Sequence, residues 1–502
     1  MKQFKYITIS LLMAASGLFS GCSADYLETN PTNQVSDGTI YSSLENLRLA
    51  INGIHRKMVS QDGSSQGLGG EPGYIVSRET LGDDMTWQTN TWHKTTHQWK
   101  AHRDAKSSVD YLPWRIYYRW VLNANFVLEN IDKYEDKNVA LHHGLKGEAL
   151  CFRAFAHFNV VQMYAERYKA GDANTQAGVP YRKSSEAIPM ARNTVAEVYQ
   201  YINEDLDEAI QLLEGYKPES AASAVRLNHF TEETAWGLKA RVALAQQDYA
   251  KAADATDKAL QLSLKRGYAL MTGNELLNGF ADITTASKEV LWAAMTKADQ
   301  TVYFYHFMAY MSWNDNTTAI RQGVKSISLE TYKLMSSTDI RRQWWDPEGK
   351  SDDLPATSYI PYPGQVRKFR ARSTSDHVSD YAYMRLAELY LMKAEALARS
   401  GKEAEAQEVL TAFAITRDPE YKASKKGEAL IEEIMTHRRI ELWGEGFRWF
   451  DLKRLNLPLH REGSNWDQAF CLVMDVPAGD VQWQFMIPQE ELNANPLMVQ
   501  NP

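Results

Sequence analysis

The chain has 502 residues, 44% of them apolar, so it holds ample material for a buried core and global disorder is excluded. Lys and Arg number 55 against 63 Asp and Glu, a net charge of −8, which is poor material for gripping a nucleic-acid backbone. Its 14 Trp and 26 Tyr are plentiful, and such rings suit wet binding surfaces because each joins a flat apolar face to a polar handle.

The N-terminus reads as a targeting segment. Lys2 and Lys5 give a positive start, and Ile7 to Phe19 is a mostly apolar run of signal-peptide length, too short to span a bilayer comfortably as a helix. It leads into Leu18-Phe19-Ser20-Gly21-Cys22, where small residues before a cysteine resemble the bacterial lipobox, with Phe19 where Leu is commoner. Residues 1–21 are therefore expected to be a signal peptide, Cys22 to carry lipid such as palmitate, and residues 22–38 to be a polar tether. No later apolar run approaches spanning length, which leaves the lipid as the only membrane anchor.

Residues 39–502 form the body, with helical patterning from near Ser43. Residues 60–113 are loop-rich: Gly63, Gly67, Gly69, Gly70 and Gly73 punctuate them, and Trp87, Trp92 and Trp99 follow, interleaved with His93, His97 and His102. His93 and His97 would share one face of a helix and could hold a metal. The setting reads as loop, however, and the chain has neither an HExxH arrangement nor a CxxC or Cys/His zinc spacing. No metal and no cofactor are expected.

A helical block is predicted over about 114–262. Its elements are Tyr117 to Ile131, then Gly144 to Tyr164 with Ala149, Phe152, Ala156 and Val160 at steps of three and four, then Thr194 to Leu213 with Asn193 or Thr194 as N-cap. Cys151 falls in the second pattern and reads as a buried thiol. Thr234 to Leu262 is a helix–turn–helix unit, an Ala-rich helix Ala235–Gln246 meeting Tyr249, Ala252 and Ala259.

Residues 268–380 are mixed. Glu289 to Thr296 reads as a strand; Tyr303-Phe304-Tyr305, Trp313-Asn314-Asp315-Asn316 and Trp344-Trp345 sit among turn residues, and Pro355, Pro361 and Pro363 mark extended loops. A second helical block covers about 382–455: Ala387, Leu391, Ala394 and Ala398 line one face, Ser400-Gly401 breaks, and another helix follows. Small residues on one helix let the next approach closely, and these pairs resemble tetratricopeptide repeats embedded in a larger fold. From Asn465 on, periodicity is weak. Cys151 and Cys471 are the only other cysteines, and nothing in the sequence pairs them.

Four segments together resemble the SusD/RagB family of Bacteroidetes outer-membrane lipoproteins. They are Arg119-Trp120-Val121-Leu122-Asn123-Ala124-Asn125; Glu148-Ala149-Leu150-Cys151-Phe152-Arg153-Ala154-Phe155-Ala156-His157-Phe158, leading to Gly178-Val179-Pro180; Arg385-Leu386-Ala387-Glu388-Leu389-Tyr390-Leu391-Met392-Lys393-Ala394-Glu395-Ala396; and Arg438-Arg439-Ile440-Glu441-Leu442-Trp443-Gly444-Glu445-Gly446-Phe447-Arg448-Trp449-Phe450-Asp451-Leu452-Lys453-Arg454. Ile487-Pro488, Asn495-Pro496 and the ending Gln500-Asn501-Pro502 add to the likeness. Thr411 to Arg417 departs from the family's usual helix ending in an Arg-rich turn.

The resemblance implies a mainly α fold: tetratricopeptide-like helix pairs as scaffold, a loop-rich ligand-binding face and a few short strands. It also implies a cell-surface protein of the outer membrane that passes oligosaccharide to a SusC-like TonB-dependent transporter. A peptide or glycoprotein ligand on the same scaffold is the alternative, and a surface glycosidase a more distant one.

Asp83-Asp84 beside Trp87 could suggest a glycosidase, but hydrolysis needs two carboxylates at a defined separation and no catalytic set stands out, so no enzyme is expected. Arg438, Arg439, Glu441, Glu445, Arg448 and Asp451 read as a structural ion-pair network. For glycan binding, a ring covering the C–H face of a sugar removes about 60 Å² from water, worth ~1.5 kcal/mol or roughly tenfold in affinity. Residues 83–99 and 300–316 supply rings and polar partners in loops. The expected ligand-binding residues are Asp83, Asp84, Trp87, Trp92, Tyr303, Tyr305, Trp313 and Asn314.

Overall fold

In the computed structural model, residues 41–502 are described except 61–68, 90–91, 219–226, 282, 285–287, 298–306, 351–353, 355–358 and 375–377. Local sequence chemistry sets the helix boundaries. Ser43 caps α1 (Leu44–Met58), its side chain accepting from the Asn46 amide, and Leu44, Leu47, Ile51, Ile54 and Met58 bury one face. A shorter helix, α2 (Gly70–Glu79), follows. α3 (Ser108–Ile131) starts well before the predicted Tyr117: Ser107 caps it, and the helix runs on through Pro113. α4 (Val139–Tyr164) is capped by Asn138 and buried on nearly every side, as its high apolar content requires. Thr194 is the N-cap of α5 (Val195–Leu212), and it exchanges hydrogen bonds with Glu197 in a capping box.

Both predicted helix–turn–helix units form. The first is α6 (Glu232–Ala245) with α7 (Tyr249–Lys265), and the second is α8 (Leu386–Arg399) with α9 (Glu403–Ala414). Gly401 makes the second turn with φ +78°, a left-handed conformation that glycine adopts without a Cβ clash. α7 also packs on α8, so the two units are continuous although more than 100 residues separate them in sequence. Ala387, Leu391 and Ala394 of α8, Leu410 and Phe413 of α9 and Leu430 and Ile434 of α10 (Glu428–Glu441) share one apolar cluster. α11 (Arg448–Arg454) follows α10 after a tight turn.

Strands are few and short. β2 (Val290–Ala294), all buried, pairs antiparallel with β6 (Tyr381–Arg385), which places the predicted strand against the start of α8. A four-stranded sheet of two-residue strands has the order β1 (Met85–Thr86), β3 (Ser326–Ile327), β5 (Gln365–Val366), β4 (Trp345–Asp346). β7 (Leu459–His460) pairs with β8 (Asp475–Val476). The C-terminal residues are tied into the body: the Asn501 side chain donates through Nδ2 to the carbonyls of Tyr164 and Phe485, both at 2.7 Å. Cys151 and Cys471 are both buried and free, so no disulfide joins them.

The charges of the fourth resembling segment form a network, but mostly with partners elsewhere in the chain. Glu441 is wholly buried against Arg341 (3.2 Å), Arg385 (3.1 Å) and Arg417 (2.9 Å). Glu445 takes Lys368 (2.6 Å) and Arg385 (2.7 Å), whereas Asp451 is met from within the segment, by Arg438 (2.7 Å) and Arg454 (2.8 Å). Arg417, the end of the stretch that departs from the family pattern, also reaches Glu289 at 3.1 Å.

Candidate functional site

The two loop-rich regions, far apart in sequence, meet through the four-stranded sheet: Met85 pairs with Ile327 and Thr86 with Ser326. Rings continue the junction. Trp92, half-buried, meets Tyr310 edge-on at 6.2 Å, and His93 meets the same ring at 5.2 Å. Three residues beyond Tyr310, Trp313 is half-buried, with the Arg367 and Arg370 guanidinium carbons 4.9 and 5.9 Å from its ring centre. Arg370 itself is exposed. The Trp313 amide donates to the Phe369 carbonyl at 3.3 Å, which fixes the loop on the segment carrying those arginines.

The other predicted residues divide sharply. Trp87 is fully buried rather than standing in water, which corrects the expectation of an exposed ring. It packs against His97 (4.3 Å) and Phe470 (5.9 Å), and the Lys325 ammonium lies 4.0 Å from its ring centre. Burial pulls that ammonium down to about 7. Asp83 and Asp84 are buried as well. Arg448 grips Asp83 through Nε (2.6 Å) and Nη2 (3.0 Å). Asp84 accepts from Arg439 Nη2 (2.6 Å) and Thr331 Oγ1 (2.7 Å). Burial works to raise the Asp84 carboxyl, but Arg439 and Arg448 overcome it and hold it at about 2. These acids bracket the loop to α10 and α11, and their lone pairs are taken up by protein donors. Asn314 is buried too: its Oδ1 accepts from Ser312 Oγ (2.6 Å) and the Ala371 amide (2.7 Å), and its Nδ2 donates to the Ala371 carbonyl (3.0 Å). It positions Trp313 rather than meeting solvent. Tyr303 and Tyr305 lie outside the described residues.

His93 and His97 belong to no gathering of three metal-ligating groups among the described residues. His97 is buried, with Nδ1 2.9 Å from the Thr80 carbonyl and Nε2 3.1 Å from Cys471 Sγ. Sequence reasoning missed Arg367 and Arg370 beside the Trp313 ring and the buried Tyr310 against Trp92. The basic run Arg367, Lys368, Arg370 and Arg372 was a usable signal, since guanidinium groups beside rings donate to hydroxyls. It also missed a cavity of about 1080 Å³ lined by α1, the start of α4, residues 215–218 and β2, with His55 and His229 on its wall.

A helical scaffold that holds half-exposed indoles and guanidinium groups on a loop-built face defines a binding protein. The comparisons agree. Residues 25–244 match a family model described as starch-binding and associating with the outer membrane, and residues 284–502 match that of the SusD family. The chain belongs to the SusD/RagB family. A SusD-like protein of Formosa agariphila is 23% identical over 504 residues, covering 91% of this chain and 92% of that one. A putative sugar-binding protein of Bacteroides vulgatus superposes with a TM-score of 0.77 at 25% identity, covering 92% of this chain and 98% of that one. Surface glycan-binding protein A of Bacteroides thetaiotaomicron, solved with laminarihexaose, gives 0.69 at 17% identity, covering 91% and 99%.

Proposed function

We propose that this protein binds an oligosaccharide or polysaccharide at the bacterial surface, on the face that carries Trp92 and Trp313, and passes it to a SusC-like TonB-dependent transporter in the outer membrane. The observation that carries the reading is Trp313 with Arg367 and Arg370: a ring to cover the apolar face of a sugar beside donors for its hydroxyls. Family membership supports it, and the laminarihexaose complex of a protein with the same fold supports a glycan over a peptide.

Calorimetric titration with laminarihexaose and a panel of oligosaccharides tests this, with thermal melting alongside. Trp313→Ala is expected to weaken binding about tenfold, from ~60 Å² of lost ring contact, at an unchanged melting temperature. Trp92→Ala should weaken it by a similar factor. Equal affinity in both variants and the parent would remove the glycan site from this face.

The anchor we propose is acyl lipid on Cys22, since no described helix is long and apolar enough to cross a membrane and the lipobox-like run ends there. Labelling cells with a radioactive fatty acid should mark the parent and leave Cys22→Ala unlabelled and off the outer membrane. Full labelling of the variant would discard the lipid anchor.

A further inference from the structure

Glu148 on α4 has its side chain wholly out of solvent, and two histidines from distant segments close on it. His55 of α1 places Nε2 3.3 Å from Glu148 Oε2. His229, just ahead of α6, places Nδ1 2.9 Å from Oε2 and 3.1 Å from Oε1. The ligand atoms of these three residues all lie within 4.8 Å of one another, the one such gathering of His, Cys, Asp or Glu among the described residues. Both imidazoles also lie on the wall of the large cavity. The cluster therefore has a closed side, at Glu148, and an open one.

We propose that His55, Glu148 and His229 form a binding site for one zinc-type divalent cation, with its remaining coordination position open to the cavity. Two imidazoles and one carboxylate suit zinc, nickel or copper, whereas calcium and magnesium favour all-oxygen sets. Bonds of about 2.0–2.1 Å in tetrahedral array put ligand atoms roughly 3.3 Å apart. The N···O separations of 2.9 to 3.3 Å are close to that and the two imidazole nitrogens lie within 4.8 Å of each other, so an ion can replace the protons that now bridge these groups as the imidazoles close on it.

The carboxylate is also held from outside, as ligands usually are. The Phe230 amide donates to Oε2 and the Tyr216 hydroxyl to Oε1, each at 3.3 Å. Arg48, on the same wall, places positive charge near His229 and opposes the ion, and the Glu148 carboxylate offsets it. The ion would join α1, α4 and the entry to α6, three segments that the helix packing alone brings together.

The test uses the purified chain without a polyhistidine tag, stripped with a chelator and dialysed against zinc chloride. Elemental analysis is expected to find one zinc per chain, and zinc to raise the melting temperature. Cobalt chloride should give the intense visible absorption of a tetrahedral site. His55→Gln and His229→Gln change side chains at the cavity wall, and circular dichroism checks that each is folded. Each should weaken zinc binding at least tenfold and abolish the melting shift, because removal of outer partners alone costs roughly 10–100-fold. Less than one zinc retained by the parent overturns the proposal, as does undiminished retention by both variants.

Discussion

Glu441→Gln is expected to cost about 3–5 kcal/mol of stability, the usual effect of breaking a buried ion pair from one side. Glu441 is the negative centre for three guanidinium groups, those of Arg341, Arg385 and Arg417, and all four side chains are sealed from water. A neutral amide keeps the shape but offers a single acceptor, and its N–H groups would point at cations. The residual carboxylates, Glu289, Glu445 and Asp339, neutralise only part of the positive charge left behind.

Burial alone would raise the Glu441 carboxyl, yet Arg417, Arg385 and Arg341 hold it well below 4.5. Its folded value is thus depressed, so its stabilisation is present above about pH 4.5 and is lost as the pH falls below that. Urea unfolding at neutral pH measures the effect. Glu45→Gln is the control, since the Glu45–Arg48 pair lies at the surface at 2.7 Å and should contribute less than about 1 kcal/mol. Equal losses from the two variants would mean that the Glu441 cluster is hydrated.

Trp87→Ala is expected to lose about 3–5 kcal/mol of stability and leave glycan affinity unchanged in the folded fraction. The indole fills the space between His97, Phe470 and the Lys325 ammonium, in a small cluster with Trp466 and Cys471. Truncation leaves a cavity whose lining has nothing to touch, beside a lysine that water can then reach. Thermal melting and calorimetry on the same preparation separate the outcomes. A tenfold loss of affinity at an unchanged melting temperature would show that Trp87 faces the ligand after all.

Trp87 and Trp313 show how far the site was legible. Both sit in loops among polar and turn residues, with no helical periodicity to account for them. One is core and the other half-exposed, because the Trp87 loop is covered by residues 466–471 and the Trp313 loop rests on the segment around Phe369. Asp83 and Asp84 illustrate the same limit. A carboxylate next to a ring serves a sugar hydroxyl or a guanidinium equally well, and Asp84 meets Arg439 across 355 residues of sequence. His55, Glu148 and His229 share no spacing motif at all, so their gathering was invisible before the chain folded.

The sequence by itself determined the longer helices and the two helix–turn–helix units, though not α2, which lies in a stretch that reads as loop. Side chains at steps of three and four, caps such as Ser43, Asn138 and Thr194, and the break at Ser400-Gly401 act within a turn or two of chain, where the physics is local. It also determined the family, through segments spread over most of the length. Only the tertiary structure decided which rings meet water, which acids are consumed by arginines and where two histidines find a carboxylate. Exposure and charge pairing depend on what the remote chain lays over a residue, and no local pattern records that.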